Sequence, residues 1–271
     1  MSIQQNKIRA IIEKIWSKVK TPQPMCGDDI VNAIDEVYTS GEDNGIAEMW
    51  EGIQNGGKQE TYYERFRNWK ITKKTFAPKY DIRSTATNGL NYAFVNFHKA
   101  DSNEIIDFEE IERECGIVID FSTCQVMHNT FQAAEIDVVN VFDARNANGT
   151  NALYSTFRGS FDSGSRPEHH TVKRINKFIV GENTNNFYMT FYYANDLEHC
   201  VFEGEISKNG LSFAQSTKLD HESIMSVINC LKDYSQDTSG TTYSVQFGAT
   251  NLAKLTAEEK AIAAQKGWNL T

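Results

Sequence analysis

Histidine has the widest chemical range of the residue types in this chain, since it serves in acid–base catalysis and binds metals. The six histidines are His98, His128, His169, His170, His199 and His221. None lies in an HExxH or HxH motif, and none has carboxylates nearby at a metal-ligand spacing. The pair His169-His170 lies in a stretch of loop composition, and we expect both side chains to face solvent there. We therefore expect no metal site.

Cysteine is the second residue type that could do chemistry here. The five cysteines are Cys26, Cys115, Cys124, Cys200 and Cys230. Their number is odd, they are widely spaced, and no CxxC pair occurs, so we expect reduced thiols rather than disulfides or zinc ligands. Cys200 follows His199 directly, but adjacent residues on a strand point to opposite faces, which argues against a nucleophile–base pair.

No motif for nucleotide binding or covalent hydrolysis is present. The sequence lacks the GxSxG, P-loop and GxGxxG patterns. The carboxylate run Glu109, Glu110, Glu112 and Glu114 is better explained as the solvent side of a short helix than as an acid–base pair. We therefore expect a non-enzymatic protein with no catalytic residues and no cofactor; an enzyme would need a site assembled from scattered residues.

The aromatic segment FYMTFYY, from Phe187 to Tyr193, suggests binding. If it is a strand, alternate residues face outward, and Tyr188, Thr190 and Tyr192 would lie on a surface. Tyrosine suits contact with a protein or a glycan, because a flat ring with a hydroxyl gives large contact area at low entropic cost. A core position remains open for each of these residues.

A recurring five-residue word predicts the elements that carry such a surface. The words AFVNF, MHNTF, LYSTF, FYMTF and NGLSF end at the predicted core residues Phe97, Phe131, Phe157, Phe191 and Phe213. A small hydrogen-bonding residue precedes each Phe, and a small residue follows it three positions later. The recurrence of these words, and the sequence intervals between their phenylalanines, predict stacked coils that each supply one strand and one turn. The alternative is an irregular α+β domain with coincidental Phe spacing.

The segments on either side of these words complete the predicted architecture. Apolar residues at helical spacing predict an amphipathic docking helix, with Ile8, Ile11, Ile12, Ile15, Trp16 and Val19 on one face. With a second helix it forms an attachment or oligomerisation segment over residues 1–44. We expect an N-terminal cap over 45–90, a leucine-rich-repeat-like solenoid over 91–220, and an α/β C-terminal cap over 221–271. The predicted class is α+β with a short, irregular β-solenoid.

Charge and hydropathy exclude other classes of partner. Residues 1–80 carry 12 Lys and Arg against 11 Asp and Glu, whereas residues 81–271 carry 15 against 25. An acidic surface without a basic cluster repels phosphate backbones, so we expect no nucleic-acid partner. No apolar run approaches the roughly 18 residues of a membrane span. The N-terminus does not have the pattern of a secretory signal, so we expect neither membrane insertion nor export by a signal peptide.

Several longer words give a family resemblance. They are WEGIQNGGKQETYYERF, ITKKTFAPKYDIRST, the xxTFxxA words, and the ending SIMSVINCLKDY with GATNLAKLTAEEKAIAAQKGWNL. In these the sequence resembles the BspA-like leucine-rich-repeat proteins of gut bacteria and their phages, although regular LxxLxLxxN words are missing. The resemblance implies a non-catalytic module that attaches to a particle at one end and presents a binding surface at the other.

The resemblance also gives the expected biological setting. It implies a phage virion structural protein, a tail- or capsid-associated fibre or decoration component, that is made in the host cytoplasm. Its expected partners are other virion proteins, a second copy of itself, and a host-surface protein or glycan. The alternative is a bacterial leucine-rich-repeat protein that mediates protein–protein interaction.

The predicted docking helix can be tested by deleting residues 1–40. Its apolar face needs a partner, so the full chain is expected to be an oligomer and the truncated chain a monomer, with mass measured by light scattering. The helix-surface variant Lys14→Ala, which leaves the apolar face intact, is the control. Monomers for both the full and the truncated chain would exclude the oligomerisation role.

Overall fold

The computed structural model describes residues 66, 70–71, 81–83, 87–99, 103–159 and 171–271. These residues belong to the second of two units into which the chain divides, 1–57 and 58–271. The predicted helical hairpin, including Ile8, Ile11, Ile12, Ile15, Trp16 and Val19, lies outside the described residues, as does most of the predicted N-terminal cap.

The described part contains four helices and nine short strands. The helices are α1 (Phe108–Cys115), α2 (His221–Cys230), α3 (Gly248–Leu252) and α4 (Ala257–Gln265). The strands are β1 (Lys70–Ile71), β2 (Ile82–Arg83), β3 (His98–Lys99), β4 (Ile119–Asp120), β5 (Val138–Ala144), β6 (Arg174–Val180), β7 (His199–Gly204), β8 (Tyr243–Val245) and β9 (Trp268–Leu270). Within the described ranges, every helix is too short or too polar to span a membrane.

The strands form four small sheets in which all described pairs are parallel. The pairs β1–β3, β2–β4 and β8–β9 stand apart from the three-stranded sheet β5–β6–β7. The prediction of an α+β protein built on a leucine-rich-repeat-like β-solenoid is therefore wrong. The described residues have mixed α/β content with separate small sheets, because most strands are only two or three residues long and no common sheet joins them.

Four of the five recurring words lie largely in turns rather than in strands, which is one reason for that error, whereas the fifth, NGLSF, pairs with Gln246 through Ser212. Residues 87–96, 128–133, 150–157 and 188–193 are turns. A residue with positive φ stands two positions before Phe131, Phe157 and Phe191 in three of the words, at Asn129, Ser155 and Met189, with φ from 55° to 58°. Tyr92, with φ of 57°, stands in the same way before Phe94, just ahead of the first word. This left-handed conformation is unusual outside glycine and prevents the words from continuing as strands.

Stacked phenylalanine rings join these turns through the core. We call Phe66, Phe94, Phe131, Phe157, Phe191, Phe213 and Phe247 the phenylalanine column. Neighbouring rings have centroids 4.7–5.8 Å apart and planes within 7–24° of parallel. All seven side chains are buried. A second set of rings packs against the column, and it consists of Phe108, Phe121, Phe142, Phe178 and Phe202.

Backbone hydrogen bonds hold the turns at the same spacing as the rings. The N–H of Phe94 donates to the carbonyl of Thr130, and Phe131 and Phe157 donate in the same way to Thr156 and Thr190, each at 2.8 Å. The hydroxyl groups of these buried threonines donate to carbonyls of the preceding turn at 2.8–2.9 Å. Each turn therefore satisfies its buried polar groups through its neighbour.

Helices α2 and α4 begin at side-chain caps. Asp220 accepts a hydrogen bond from the N–H of Ser223 at the start of α2, and Thr256 forms a capping box with Glu259 at the start of α4. Asn251 of α3 is buried, and its amide donates to the carbonyls of Phe213, Ser216 and Phe247. This side chain ties α3 to the end of the phenylalanine column.

Shortening one ring of the column should be costly. Phe157→Ala is expected to lower the free energy of unfolding by about 3–5 kcal/mol, because it leaves a cavity between Phe131, Phe142 and Phe191. Chemical denaturation measures the change. Ile105→Ala, at a side chain 60% exposed, is the control and should change stability by less than about 0.5 kcal/mol. Similar values for the two variants would show that the column does not stabilise the core.

A carboxylate links three chain segments beside the sheet. Asp137 forms ion pairs with Lys99 and Lys173 and accepts a hydrogen bond from the N–H of Ile106 at 2.8 Å. Burial alone would raise the pKa of this carboxyl. The hydrogen bonds from Lys173, Lys99 and Ile106 outweigh burial and hold the pKa of Asp137 below its usual value.

The lowered pKa of Asp137 predicts a pH-dependent stability. The folded-state pKa of Asp137 lies below the unfolded value of about 3.9, so the carboxylate stabilises the fold above about pH 4. This stabilisation is lost as the pH falls through the folded-state pKa. Asp137→Asn should cost about 1–3 kcal/mol at pH 7 and progressively less in acid. The control Asp196→Asn removes a surface pair with Lys218 and should cost under about 1 kcal/mol. A pH-independent difference for Asp137→Asn would contradict this account.

Candidate functional site

A row of aromatic side chains runs along the outer side of the turns. Tyr92, His128, Tyr154 and Tyr188 form this aromatic stripe, and neighbouring rings have centroids 5.1, 4.9 and 5.7 Å apart. Tyr188 is 56% exposed, and the other three rings are partly exposed. The stripe is therefore a surface feature, unlike the phenylalanine column beneath it.

The position of each stripe residue in its turn explains the alignment. His128, Tyr154 and Tyr188 each stand three positions before a ring of the column, namely Phe131, Phe157 and Phe191. Because the column and the hydrogen bonds between turns fix the offset from one turn to the next, equivalent side chains lie one above another. Tyr92 extends the row, and its hydroxyl lies 3.4 Å from Nδ1 of His128.

His128 is the stripe residue whose side-chain type ordinarily titrates near neutral pH. Partial burial lowers the pKa of its imidazole, so the neutral ring predominates at neutral pH. A neutral imidazole between two tyrosines continues the aromatic surface instead of interrupting it with a charge. The stripe is therefore uncharged at pH 7.

A pocket of about 460 Å³ opens at the Tyr188 end of the stripe. This size falls within the range of small-molecule sites. The pocket is lined by Tyr188, Met189, Phe191, Tyr192, Gly210, Leu211, Ser212, Ala214, Gln215, Ser244 and Gln246.

The pocket exists because small residues replace large ones in the next turn. Gly210 stands three positions before Phe213, where the preceding turn has Tyr188 before Phe191. Ala214 follows Phe213, at the position that Tyr192 occupies after Phe191. Gly210 has a φ of +102°, a conformation that strains residues with a side chain, and a Cβ there would lie 3.9 Å from the Tyr188 nitrogen. Two tyrosines therefore form one wall above a floor of small side chains.

Amides and hydroxyls lie on the other sides of the pocket. Gln215 accepts a hydrogen bond from the N–H of Tyr193 at 2.7 Å through its side-chain oxygen, which fixes the orientation of its amide. Gln246 and Ser244 lie on the segment that pairs with Ser212 and Leu211. The pocket thus combines aromatic rings with neutral hydrogen-bonding groups.

The residues predicted from the sequence lie partly at this site and partly beneath it. The predicted core residues Phe97, Phe131, Phe157, Phe191 and Phe213 are all buried. Phe97 lies outside the column and packs edge-on against Phe94, with centroids 5.5 Å apart. Among the residues predicted to face outward, Tyr188 is exposed and Tyr192 partly exposed, whereas Thr190 is buried.

Sequence reasoning missed Tyr92, His128 and Tyr154 in the stripe, and Gln215, Ser244 and Gln246 in the pocket. A signal for His128 and Tyr154 was present, because they share one offset from the core Phe of their words. The pocket amides and Ser244 have no such pattern, and they come together only through folding.

Elsewhere, the described residues include one group that could share a cation, formed by His199, Asp220 and Glu222. Nδ1 of His199 lies 2.6 Å from an oxygen of Asp220, whose other oxygen accepts from the N–H of Ser223. Both oxygens of Asp220 therefore already link β7 to the start of α2. Joining these two elements of the fold explains why His199 and Asp220 lie so close together.

Neither buried cysteine in the described part of the chain is an activated nucleophile. Burial raises the pKa of Cys124 to about 11 and that of Cys200 well above its usual value. Both thiols are thus protonated at neutral pH and unreactive. His199 neighbours Cys200 in sequence, but its imidazole is directed to Asp220.

No protein family, no curated protein and no solved structure matches this chain. Function is therefore inferred from the geometry of the described residues and from the sequence resemblance given above.

Proposed function

We propose that this protein is a non-enzymatic binding protein of phage particles, and that the aromatic stripe and its pocket hold a molecule of the bacterial host surface. The observation that carries the binding role is the pocket of about 460 Å³ with Tyr188 and Tyr192 on one wall. Concave sites lined by aromatic rings and a few polar groups are the usual form of ligand sites.

The rigidity of the surroundings supports a binding role. Tyr188 is held by the ring of Tyr154, and the turn that carries it is fixed by hydrogen bonds to its neighbour. Beneath it lies Phe191, which stacks between Phe157 and Phe213. A surface ordered before the ligand arrives loses less entropy on binding, and affinity rises accordingly.

The chemistry of the pocket favours binding over catalysis. The described residues of its lining offer tyrosine hydroxyls, amides, serines and a thioether, and they include no carboxylate, histidine, lysine or cysteine. General acid–base catalysis near pH 7 requires a group that titrates in that range. The lining can hold and orient a ligand but has no such group.

The virion setting rests on the sequence resemblance. The words of residues 50–66 and 71–85 and the C-terminal ending are similar to those of BspA-like proteins of gut bacteria and their phages. In this proposal the N-terminal segment, residues 1–44, attaches the protein to the particle or to further copies. The described part would then face the host.

Filling the pocket should abolish binding to the host. Ala214→Trp places a large side chain on the pocket floor and is expected to weaken binding of the full chain to envelopes of the bacterial host by at least about tenfold. Co-sedimentation of labelled protein with envelopes measures this. Ile105→Trp, at an exposed site outside the pocket lining, is the matched control and should bind like the unmodified chain.

Two outcomes would contradict the proposal. Equal binding by Ala214→Trp and Ile105→Trp, with both variants folded by circular dichroism, would exclude the pocket as the binding site. Mass spectrometry of purified phage particles tests the setting, because a virion protein must be present in a fixed ratio to the capsid protein. A gene that lies among sortase or secretion genes would exclude the virion setting.

A further inference from the structure

We infer that the pocket and the aromatic stripe bind an uncharged carbohydrate chain. This inference rests on the proposed function and specifies its ligand class. It is carried by the juxtaposition of exposed aromatic faces, neutral hydrogen-bonding groups and an absence of charge in the pocket lining.

The aromatic faces match one side of a sugar ring. A pyranose presents a face of C–H groups, which carry partial positive charge, and the face of an aromatic ring is negative. Tyr188 and Tyr192 both line the pocket, and Tyr188 is exposed. Tyr188 could thus stack against a sugar while its hydroxyl takes part in hydrogen bonding. Tyr192 adds ring surface beside it, and its hydroxyl donates to the hydroxyl of Tyr193 at 3.4 Å.

The polar groups match the rim of a sugar. Sugar hydroxyls both donate and accept hydrogen bonds, and amides and serine hydroxyls do the same. Gln215, Ser244 and Gln246 provide such groups in the same lining as the two tyrosines. Since the side-chain oxygen of Gln215 accepts from the N–H of Tyr193, its NH₂ group is directed away as a donor.

The charge of the site argues against anionic ligands. Among the residues that the structure describes, no lysine, arginine or histidine lines the pocket, and the chain as a whole carries a formal charge of −9. Arg158 lies 5.8 Å from the ring centroid of Tyr192 but does not line the pocket. An acidic sugar or phosphate would enter this site against the field of the protein without a cation to pair with.

The stripe makes a chain a better fit than a single sugar. From the pocket, Tyr188 leads to Tyr154, His128 and Tyr92 at intervals of 5–6 Å. Successive sugars of an oligosaccharide can therefore contact successive rings. Longer oligosaccharides should bind more tightly than a monosaccharide, as each added contact contributes to affinity.

Selective destruction of envelope components tests the ligand class with the full-length protein. Mild periodate cleaves the vicinal diols of sugars, and protease removes envelope proteins. Periodate is expected to lower binding to envelopes at least about tenfold while protease leaves it within about twofold. Raising NaCl from about 0.05 to about 0.5 M should change the affinity by less than about twofold, because an uncharged ligand is not screened.

A second arm uses defined probes. Neutral hexasaccharides of 1→4-linked glucose, mannose and galactose, which retain vicinal diols, compete against envelopes, with acidic hexagalacturonate for comparison. At least one neutral probe is expected to displace the protein. Tyr188→Ala should weaken that competition about three- to tenfold, whereas Ile105→Ala should leave it unchanged.

The outcomes separate the two proposals. One possible result is that Ala214→Trp abolishes envelope binding, that protease also destroys it, and that periodate leaves it unchanged. This result would overturn the carbohydrate inference and leave the proposed function intact. Binding displaced only by hexagalacturonate, or lost at high salt, would overturn the uncharged ligand. Failure of the unmodified chain to bind host envelopes at all would overturn both.

Discussion

The stacking of seven phenylalanine rings is the constraint on which the rest of this structure depends. The rings lie 4.7–5.8 Å apart, close to the spacing of about 4.8 Å between hydrogen-bonded strands. Ring stacking and backbone hydrogen bonding between turns can therefore proceed together without strain in either. Buried threonines complete the arrangement, because their hydroxyls bond to carbonyls of the preceding turn. Because the turns keep this spacing at the outer surface, Tyr154 and Tyr188 are in contact there.

The sequence predicted the buried residues better than the architecture that contains them. The words ending at Phe131, Phe157, Phe191 and Phe213 mark four rings of the column. The first word was aligned on Phe97 instead of Phe94, since both are apolar and buried and only ring stacking distinguishes them. The predicted solenoid was wrong because left-handed residues such as Ser155 and Met189 make the words turn, and single-sequence patterns do not reveal a positive φ at residues other than glycine.

The candidate site was only partly predictable for a related reason. Tyr188 was singled out as a surface residue on the assumption that its segment is a strand, but the segment is a turn and Thr190, expected beside it, is buried. Gly210 and Ala214 form the pocket floor by being small, and a small side chain has no signature of its own. Gln246 joins the site through the pairing of its segment with Ser212 and Leu211, a contact between residues more than thirty positions apart.

The hydrogen bonds between turns run through backbone atoms and buried threonines, so the fold makes little demand on the side chains of His128, Tyr154 and Tyr188. These three residues stand at the same position of equivalent turns, three residues before a column ring. The corresponding Asn91 is different, because it is buried and accepts a hydrogen bond from the N–H of His128. Evolution can exchange the three outer aromatic residues singly, so that recognition is able to drift with a changing target while the molecule beneath keeps its structure.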